Sequence, residues 1–251
     1  MTIGVSQSGV SFLAQLFSSL PQGVVSAASL SRSEVVVASS HDRVDLVLDK
    51  YNVPYQSVDR RGVAGSVLGG AKYLLIGCGL PLSESAPVKI AEWVSGGGRL
   101  LTTERLLRGL LENAFLDENG RPIIRPLVHG KKYISADEDD DFPVSQAAWA
   151  EPAVSALLEG GERLFWKVKK SSFPIEIRDE DRVEVLASSS LLGRLFYGAD
   201  ALFVRFPYGQ GEVLHLLSHW DIQELDTIPP AERPVSSRTS VFPLDILPTK
   251  N

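Results

Sequence analysis

The chain has 251 residues, of which 44% are hydrophobic and 22% charged, so its composition is globular and excludes collagen-like, coiled-coil and disordered classes. Its 25 basic and 31 acidic residues give a net charge of −6, which argues against a general binder of nucleic acids or of anionic membranes. The single cysteine excludes an intrachain disulfide framework and a zinc site built from several cysteines.

The N-terminal segment contains apolar stretches, but no lysine or arginine precedes Arg32, and serines and glutamines interrupt the apolar residues. A secretory signal starts with positive charge and continues through an unbroken apolar run. No stretch approaches the ~20 apolar residues that are needed to span a bilayer. We therefore expect a cytoplasmic protein without membrane insertion, which agrees with its low cysteine content.

Short apolar runs alternate with helical patterns in the first half of the chain. The segments that predict strands are Val35–Ala38, Pro54–Asp59, Tyr73–Cys78 and Arg99–Thr103. The segments that predict helices are Val44–Tyr51, Val88–Val94 and Glu104–Ala114. Strands that alternate with helices pair in parallel through right-handed crossovers, so this half predicts a doubly wound sheet.

The second half is richer in strand patterns. Strands are predicted at Phe165–Val168, Ile175–Ile177 and Val183–Ala187, and a hairpin at Ala201–Phe206 and Glu212–Leu217. The acidic run Asp137–Asp141 predicts a solvated loop. We expect a helical lead-in at residues 1–33, an α/β domain at 34–227, and a tail rich in proline and serine at 228–251.

Two segments resemble the pattern of class I glutamine-amidotransferase-like domains. Tyr73–Glu104 has the order apolar strand, glycine turn, helix, paired glycines, apolar strand and sharp turn into a helix. Phe206–His219, with the sequence FPYGQGEVLHLLSH, resembles the late hairpin of that superfamily. The resemblance is to its non-catalytic branch, which includes domains of gliding-motility and intraflagellar-transport proteins and the trimerisation domains of beta-galactosidases. It implies a three-layer, mostly parallel, flavodoxin-like sheet with a β-rich C-terminal extension.

The resemblance also assigns candidate site residues. In catalytic members a cysteine occupies a strand-to-helix turn, and a histidine followed by an acid comes after the late strand. These positions match Glu104 or Thr103 for the nucleophile, His219 for the histidine and Asp221 for the acid. A carboxylate cannot replace the attacking thiolate, because the product would be a reactive anhydride. The resemblance therefore implies a non-catalytic binding or interaction module. The residues themselves predict that Thr102 or Thr103 caps the helix, that Glu104 lies in its first turn and that His219 makes structural hydrogen bonds.

Cys78 ends a predicted buried strand, at the edge where doubly wound sheets bind their ligands. It is either a nucleophile with His219 as its base, or a small core residue. A pocket at this edge would draw on the turns after the strands and on an aromatic residue for stacking. The candidate ligand-binding residues are Ser39, Gly79, Thr103 and Trp220.

The sequence predicts no cofactor and no metal site. Its histidines lack the spacing of a zinc motif, and the acidic run lacks the glycine and the final glutamate of an EF-hand loop. Three functions stay open: a module that binds a small molecule or a protein, a hydrolase that uses Cys78 or Glu104 with His219, and a structural subunit of a homo-oligomer or a larger assembly.

Overall fold

The computed structural model describes residues 30–38, 42–50, 52–59, 62–64, 66–79, 82–128, 134, 140–148, 150, 154, 165–170 and 172–219. The predicted lead-in at 1–33 lies almost wholly outside these residues, and the predicted tail at 228–251 lies wholly outside them. Within the described part of the chain, no helix is long and apolar enough to cross a membrane.

The described residues form twelve strands and four helical segments. The strands are β1 (Val35–Ala38), β2 (Gln56–Ser57), β3 (Tyr73–Ile76), β4 (Arg99–Thr103), β5 (Ile124–Pro126), β6 (Asp140–Pro143), β7 (Gln146–Ala147), β8 (Phe165–Val168), β9 (Ile175–Ile177), β10 (Glu184–Ser188), β11 (Ala201–Tyr208) and β12 (Gly211–Leu216). The helices are α1 (Val44–Lys50), α2 (Ala86–Ser95), α3 (a π-helical turn at Leu107–Leu111 continued by Glu112–Ala114) and α4 (Ser190–Leu195), with 3₁₀ turns at Gly62–Ala64 and Ser66–Gly70.

Eight strands build one mixed sheet in the order β2-β1-β3-β4-β12-β11-β10-β7. The first five are parallel to one another, and β11, β10 and β7 continue the sheet antiparallel. Two small antiparallel pairs, β5 with β9 and β6 with β8, lie outside it. The predicted α/β class is confirmed, and because β3, β4 and β12 are parallel neighbours, the residues that follow them meet at one edge.

Burial explains why these segments form strands and helices. Every residue of β1 and β3 is buried, which is typical of parallel strands covered on both faces. Helix α2 buries Ala86, Ile90 and Val94, which lie on one face at intervals of four residues. The hairpin returns close to the end of this helix, where a Cβ on Gly211 would collide with backbone carbonyl oxygens. A glycine is therefore required at that point.

Several predicted bounds change. The first, fourth and eighth strands are confirmed at their predicted bounds, whereas the strand predicted at Pro54–Asp59 shortens to Gln56–Ser57. The acidic run does not stay a loop throughout: Asp140 and Asp141 belong to β6, while residues 137–139 lie outside the described part. The physical reason is long-range pairing, because Asp140 and Asp141 lie opposite Val168 and Lys167 of β8 in an antiparallel ladder.

Candidate functional site

Three polar side chains are buried where the central parallel strands end. Cys78 follows β3, Glu104 follows β4 and His219 follows β12. Their relative exposures are 3%, 4% and 7%. Buried titratable groups need partners, because removing a charge or a dipole from water is costly. Here the three groups are one another's partners.

Two of the contacts that join this cluster use the same imidazole nitrogen. The Sγ atom of Cys78 lies 2.6 Å from Nε2 of His219, and Oε2 of Glu104 lies 2.9 Å from that nitrogen. The other carboxylate oxygen, Oε1, lies 3.6 Å from Nε of Arg105. In a relay of thiol, imidazole and acid, the thiol and the acid occupy opposite ring nitrogens. Glu104 therefore does not occupy the position of the acid in such a relay.

The backbone turn after β4 aims Glu104 at His219. Glu104 has φ +45°, in the left-handed region that costs a residue with a Cβ roughly 1–2 kcal/mol. Its N–H donates to the carbonyl of Leu216 at 3.1 Å, which ties the turn to β12. Strained residues of this kind cluster at functional sites.

This geometry corrects the helix-capping interpretation of the turn. The hydroxyl Oγ1 of Thr103 accepts a hydrogen bond from the backbone N–H of Cys78 at 3.1 Å. The first helical turn, which follows Leu106, has no side-chain cap. Thr103 therefore joins β4 to the end of β3, and Glu104 contacts His219 where a residue that only starts a helix would face solvent.

The segment that carries His219 is held from the opposite side. The indole N–H of the fully buried Trp166 donates to the carbonyl of Leu217 at 2.7 Å. Ser218 has φ +96°, and its Oγ accepts the backbone N–H of Lys169 at 3.0 Å. Strand β8 and the residues just after it thus fix the approach of the histidine.

The electrostatics of the cluster keep the thiol protonated. Burial raises the pKa of Cys78, and the Glu104 carboxylate and Asp42 raise it further. Burial also acts to raise the pKa of Glu104, but the hydrogen bonds from His219 and Cys78 outweigh it, so the pKa of this carboxyl lies below its ordinary value. A neutral thiol therefore lies beside an ionised carboxylate.

A cleft of about 250 Å³ opens above the cluster. Three cationic residues contribute to its lining: Arg105, Lys169 and Lys170. A second cleft of about 440 Å³ shares Gly79 and Arg105 with it and continues toward the start of α2. Together the two clefts give an open surface path to the three buried groups.

The structure brings together five of the residues singled out in the sequence. Cys78, Gly79, Thr103, Glu104 and His219 all lie at this edge. The candidates Ser39, Trp220 and Asp221 lie outside the described residues.

Sequence reasoning missed the cationic lining and Asp42. The only available signal for the lysines was the pair Lys169–Lys170 directly after a predicted strand. Their place beside His219 follows from long-range contacts of β8 that no local pattern encodes. Asp42 is fully buried beside Gly77, whose Cβ would lie 2.9 Å from that of the aspartate.

The other described histidine, His215, belongs to the sheet interior. It is fully buried, and its Nδ1 lies 2.9 Å from Oγ1 of Thr102. His129 lies outside the described residues. Among the residues that the structure describes, the side chains close enough to share one metal ion are Cys78, Glu104 and His219.

No protein-family model matches the chain, and no curated protein matches it. Among solved structures, a catalytic mutant of the GH42 beta-galactosidase Gan42B from G. stearothermophilus is similar at 14% identity and a TM-score of 0.48, over 77% of this chain and 28% of that one. A cytoplasmic protein from Salmonella typhimurium is similar at 15% identity and a TM-score of 0.43, over 74% and 87%. The mmIFT52 N-terminal domain is similar at 13% identity and a TM-score of 0.38, over 73% and 85%. The chain thus spans less than a third of that beta-galactosidase, and the functional argument comes from the site alone.

Proposed function

We propose that the protein is a non-catalytic binding module of amidotransferase-like architecture, and that it binds a small oxyanion in the cleft above Cys78, Glu104 and His219. The observation that carries the proposal is one buried polar cluster at the floor of a cleft that is lined by Arg105 and two lysines. We also propose that the protein is cytoplasmic, as expected from the sequence.

The order of the parallel strands supports the architecture. The sequence β2-β1-β3-β4-β12 follows the order 2-1-3-4-5 of flavodoxin-like sheets. In such sheets ligands bind beyond the carboxyl ends of the strands. Glu104 occupies a strained strand-to-helix turn at that edge, which is where the resemblance places the lost nucleophile.

The geometry favours binding over thiol chemistry. Cys78 is almost completely buried, and its sulfur contacts the same imidazole nitrogen as Glu104, so Glu104 does not orient the imidazole from the opposite ring nitrogen. The raised pKa of the thiol acts in the same direction, because the thiolate is the attacking species. Glu104 as nucleophile would form an anhydride.

The charge of the cleft favours an anionic ligand. Lys170 and Arg105 are exposed, and Lys169 is partly buried with its backbone fixed to Ser218. Arginine and lysine are the usual partners of carboxylate and phosphate groups. The volume of about 250 Å³ is smaller than the roughly 300–1,000 Å³ of sites for drug-sized ligands, so it suits a ligand the size of a small oxyanion.

A titration with inorganic phosphate, followed through backbone amide NMR signals of the metal-free protein, tests the proposal. We expect saturable shifts at Gly79 and Arg105. The double variant K169Q/K170Q should bind phosphate at least about 10-fold more weakly, because charge-assisted hydrogen bonds are worth about 1.5–3 kcal/mol each. The control K89Q/R194Q removes the same net charge from exposed positions outside the cleft and should retain the affinity within about twofold.

Two results would overturn the proposal. One is the absence of saturable shifts, or an equal loss of affinity in both double variants. The other is hydrolysis of p-nitrophenyl acetate above background that disappears in H219A, because this result would restore the hydrolase alternative.

A further inference from the structure

The cluster of Cys78, Glu104 and His219 has the composition of a metal site. One sulfur, one imidazole nitrogen and one carboxylate oxygen lie within 4.8 Å of one another. All three side chains are buried, and each comes from a different parallel strand end. Zinc sites with an open position use three protein ligands of these types.

Hydrogen bonds join Glu104 to both His219 and Cys78, but they leave one contact among the three side chains without a hydrogen. Nε2 of His219 either carries one hydrogen or offers one lone pair. When it carries the hydrogen and donates it to Glu104, the thiol donates to the same carboxylate, and the 2.6 Å contact between Sγ and Nε2 then holds no hydrogen bond. When it offers the lone pair it faces a carboxylate oxygen at 2.9 Å that has no hydrogen to give. A cation at the centre would satisfy all three lone pairs together.

The three ligand atoms lie close to one another, with sulfur and nitrogen nearer than they would be on a shared metal ion. At 2.6 Å, the Sγ–Nε2 separation falls within the range of hydrogen bonds between oxygen atoms, although sulfur is the larger atom. The carboxylate of Glu104 also lies within hydrogen-bonding reach of the thiol. Three ligand atoms are thus drawn together around a common point.

We propose that Cys78, Glu104 and His219 bind one divalent transition-metal ion of the zinc class, with the fourth coordination position open to the cleft. The proposal rests on the cleft of the proposed function and names a second component of the same site. A ligand set of thiolate, imidazole and carboxylate selects zinc, cobalt or nickel over magnesium and calcium, which prefer oxygen ligands alone.

The change in geometry that binding requires is small. With Zn–S near 2.3 Å and Zn–N and Zn–O near 2.0–2.1 Å, ligand atoms in a tetrahedral site lie roughly 3.4–3.6 Å apart. The Sγ–Nε2 pair must therefore separate by about 1 Å and the Nε2–Oε2 pair by about 0.5 Å.

Neighbouring groups hold the ligands in place. Thr103 bonds the backbone of Cys78, Trp166 bonds the segment before His219, and Arg105 pairs with Oε1 of Glu104. Oε2 of Glu104 is then the oxygen directed to the metal. Second-shell contacts of this kind fix the orientation of metal ligands.

Protons balance in a simple way. Binding displaces the thiol proton of Cys78 into solvent, and Glu104 binds as the carboxylate it already is. A neutral imidazole that carries its hydrogen on Nε2 moves it to Nδ1 before Nε2 coordinates, and an imidazolium releases the Nε2 proton to solvent. An oxyanion in the cleft would supply the fourth ligand, within reach of Lys169 and Lys170.

Titration of the reduced, metal-free protein with Co²⁺ tests the site. We expect one equivalent to bind and to produce the near-ultraviolet charge-transfer band of a thiolate bound to cobalt. The variant C78S should lose the band. The near-isosteric variants E104Q and H219Q should weaken Co²⁺ binding by at least the 10- to 100-fold that even second-shell groups are worth.

The control E84Q makes the same change at an exposed glutamate of the adjoining cleft and should bind Co²⁺ like the original chain. Circular dichroism checks that each variant is folded. The proposal is overturned if the original chain shows no saturable band, or if E104Q and H219Q bind Co²⁺ as E84Q does. Saturable phosphate binding without a cobalt band would refute the metal site and leave the proposed function standing. A cobalt band without phosphate binding would refute the proposed function and support the metal site.

Discussion

Two buried histidines, one within β12 and one just past its end, have different surroundings. His215 lies inside β12 and meets Thr102 of β4, whereas His219 lies past the end of β12 and meets Glu104 past the end of β4. Four residues thus separate a site in the sheet interior from a site at its edge. Inside the sheet, the partner of His215 is a neutral hydroxyl. At the edge, the partners of His219 are a carboxylate and a thiol.

The difference shows where this fold accommodates charge. Burial lowers the pKa of His215 to about 3, so this imidazole is neutral at physiological pH. At the edge, ionised Glu104 is held by His219 and Arg105 beneath an open cleft. The strand ends are thus the place where the sheet holds a charge close to solvent.

The largest expected effect concerns the pH dependence of stability. His215 has a folded-state pKa of about 3 and an unfolded value near 6.5, so between these pH values the unfolded chain binds a proton that the folded chain does not. The contribution of His215 is full above pH 6.5 and is lost as the pH falls toward 3, on the order of 5 kcal/mol in all. Urea unfolding at a series of pH values measures it.

The variant H215Q provides the control, because glutamine can bond Thr102 and does not titrate. The free energy of unfolding of H215Q should fall less steeply between pH 6.5 and 3 than that of the original chain. The other histidines contribute equally to both proteins, so the difference isolates His215. Equal slopes would show that His215 is not a buried neutral base.

A smaller difference in the free energy of unfolding is expected between glycine and alanine variants at Glu104 and at Thr102, the residues that contact the two histidines. Glu104 has a positive φ, so E104G should be about 1 kcal/mol more stable than E104A, which retains a Cβ in the left-handed region. At Thr102, inside the strand, the order should reverse, with T102A about 1 kcal/mol more stable than T102G. Thermal or urea unfolding of the four variants measures both differences. The same sign at both positions would remove the argument for strain at Glu104.

Local patterns predicted the strands that depend on them. The predicted bounds are correct for four strands, β1, β4, β8 and β9. Each is a short apolar or alternating run, so its burial is a local property. The segment after β4 was predicted as an ordinary helix. It begins with the strained turn at Glu104 and a π-helical turn, and contacts with β12 determine this geometry.

The sequence indicated that three of the candidate residues share one edge of the sheet, and it did not indicate their contacts. That Cys78, Glu104 and His219 share one edge follows from parallel pairing, which the alternating pattern indicated. That Glu104 is the acid in contact with His219 could not be predicted, because it depends on one positive φ and one side-chain direction. The lysines of the cleft directly follow β8, a strand that pairs with β6 outside the main sheet.

The central claim is that this edge of the sheet binds a ligand and does not perform thiol chemistry. The most direct test is the rate at which a disulfide reagent such as DTNB modifies Cys78 in the metal-free native protein, relative to the protein unfolded in denaturant. We predict a native rate at least about 100-fold slower, because a buried, protonated thiol reacts only after local opening. A native rate equal to or faster than the unfolded rate would show an activated thiolate and would contradict the account.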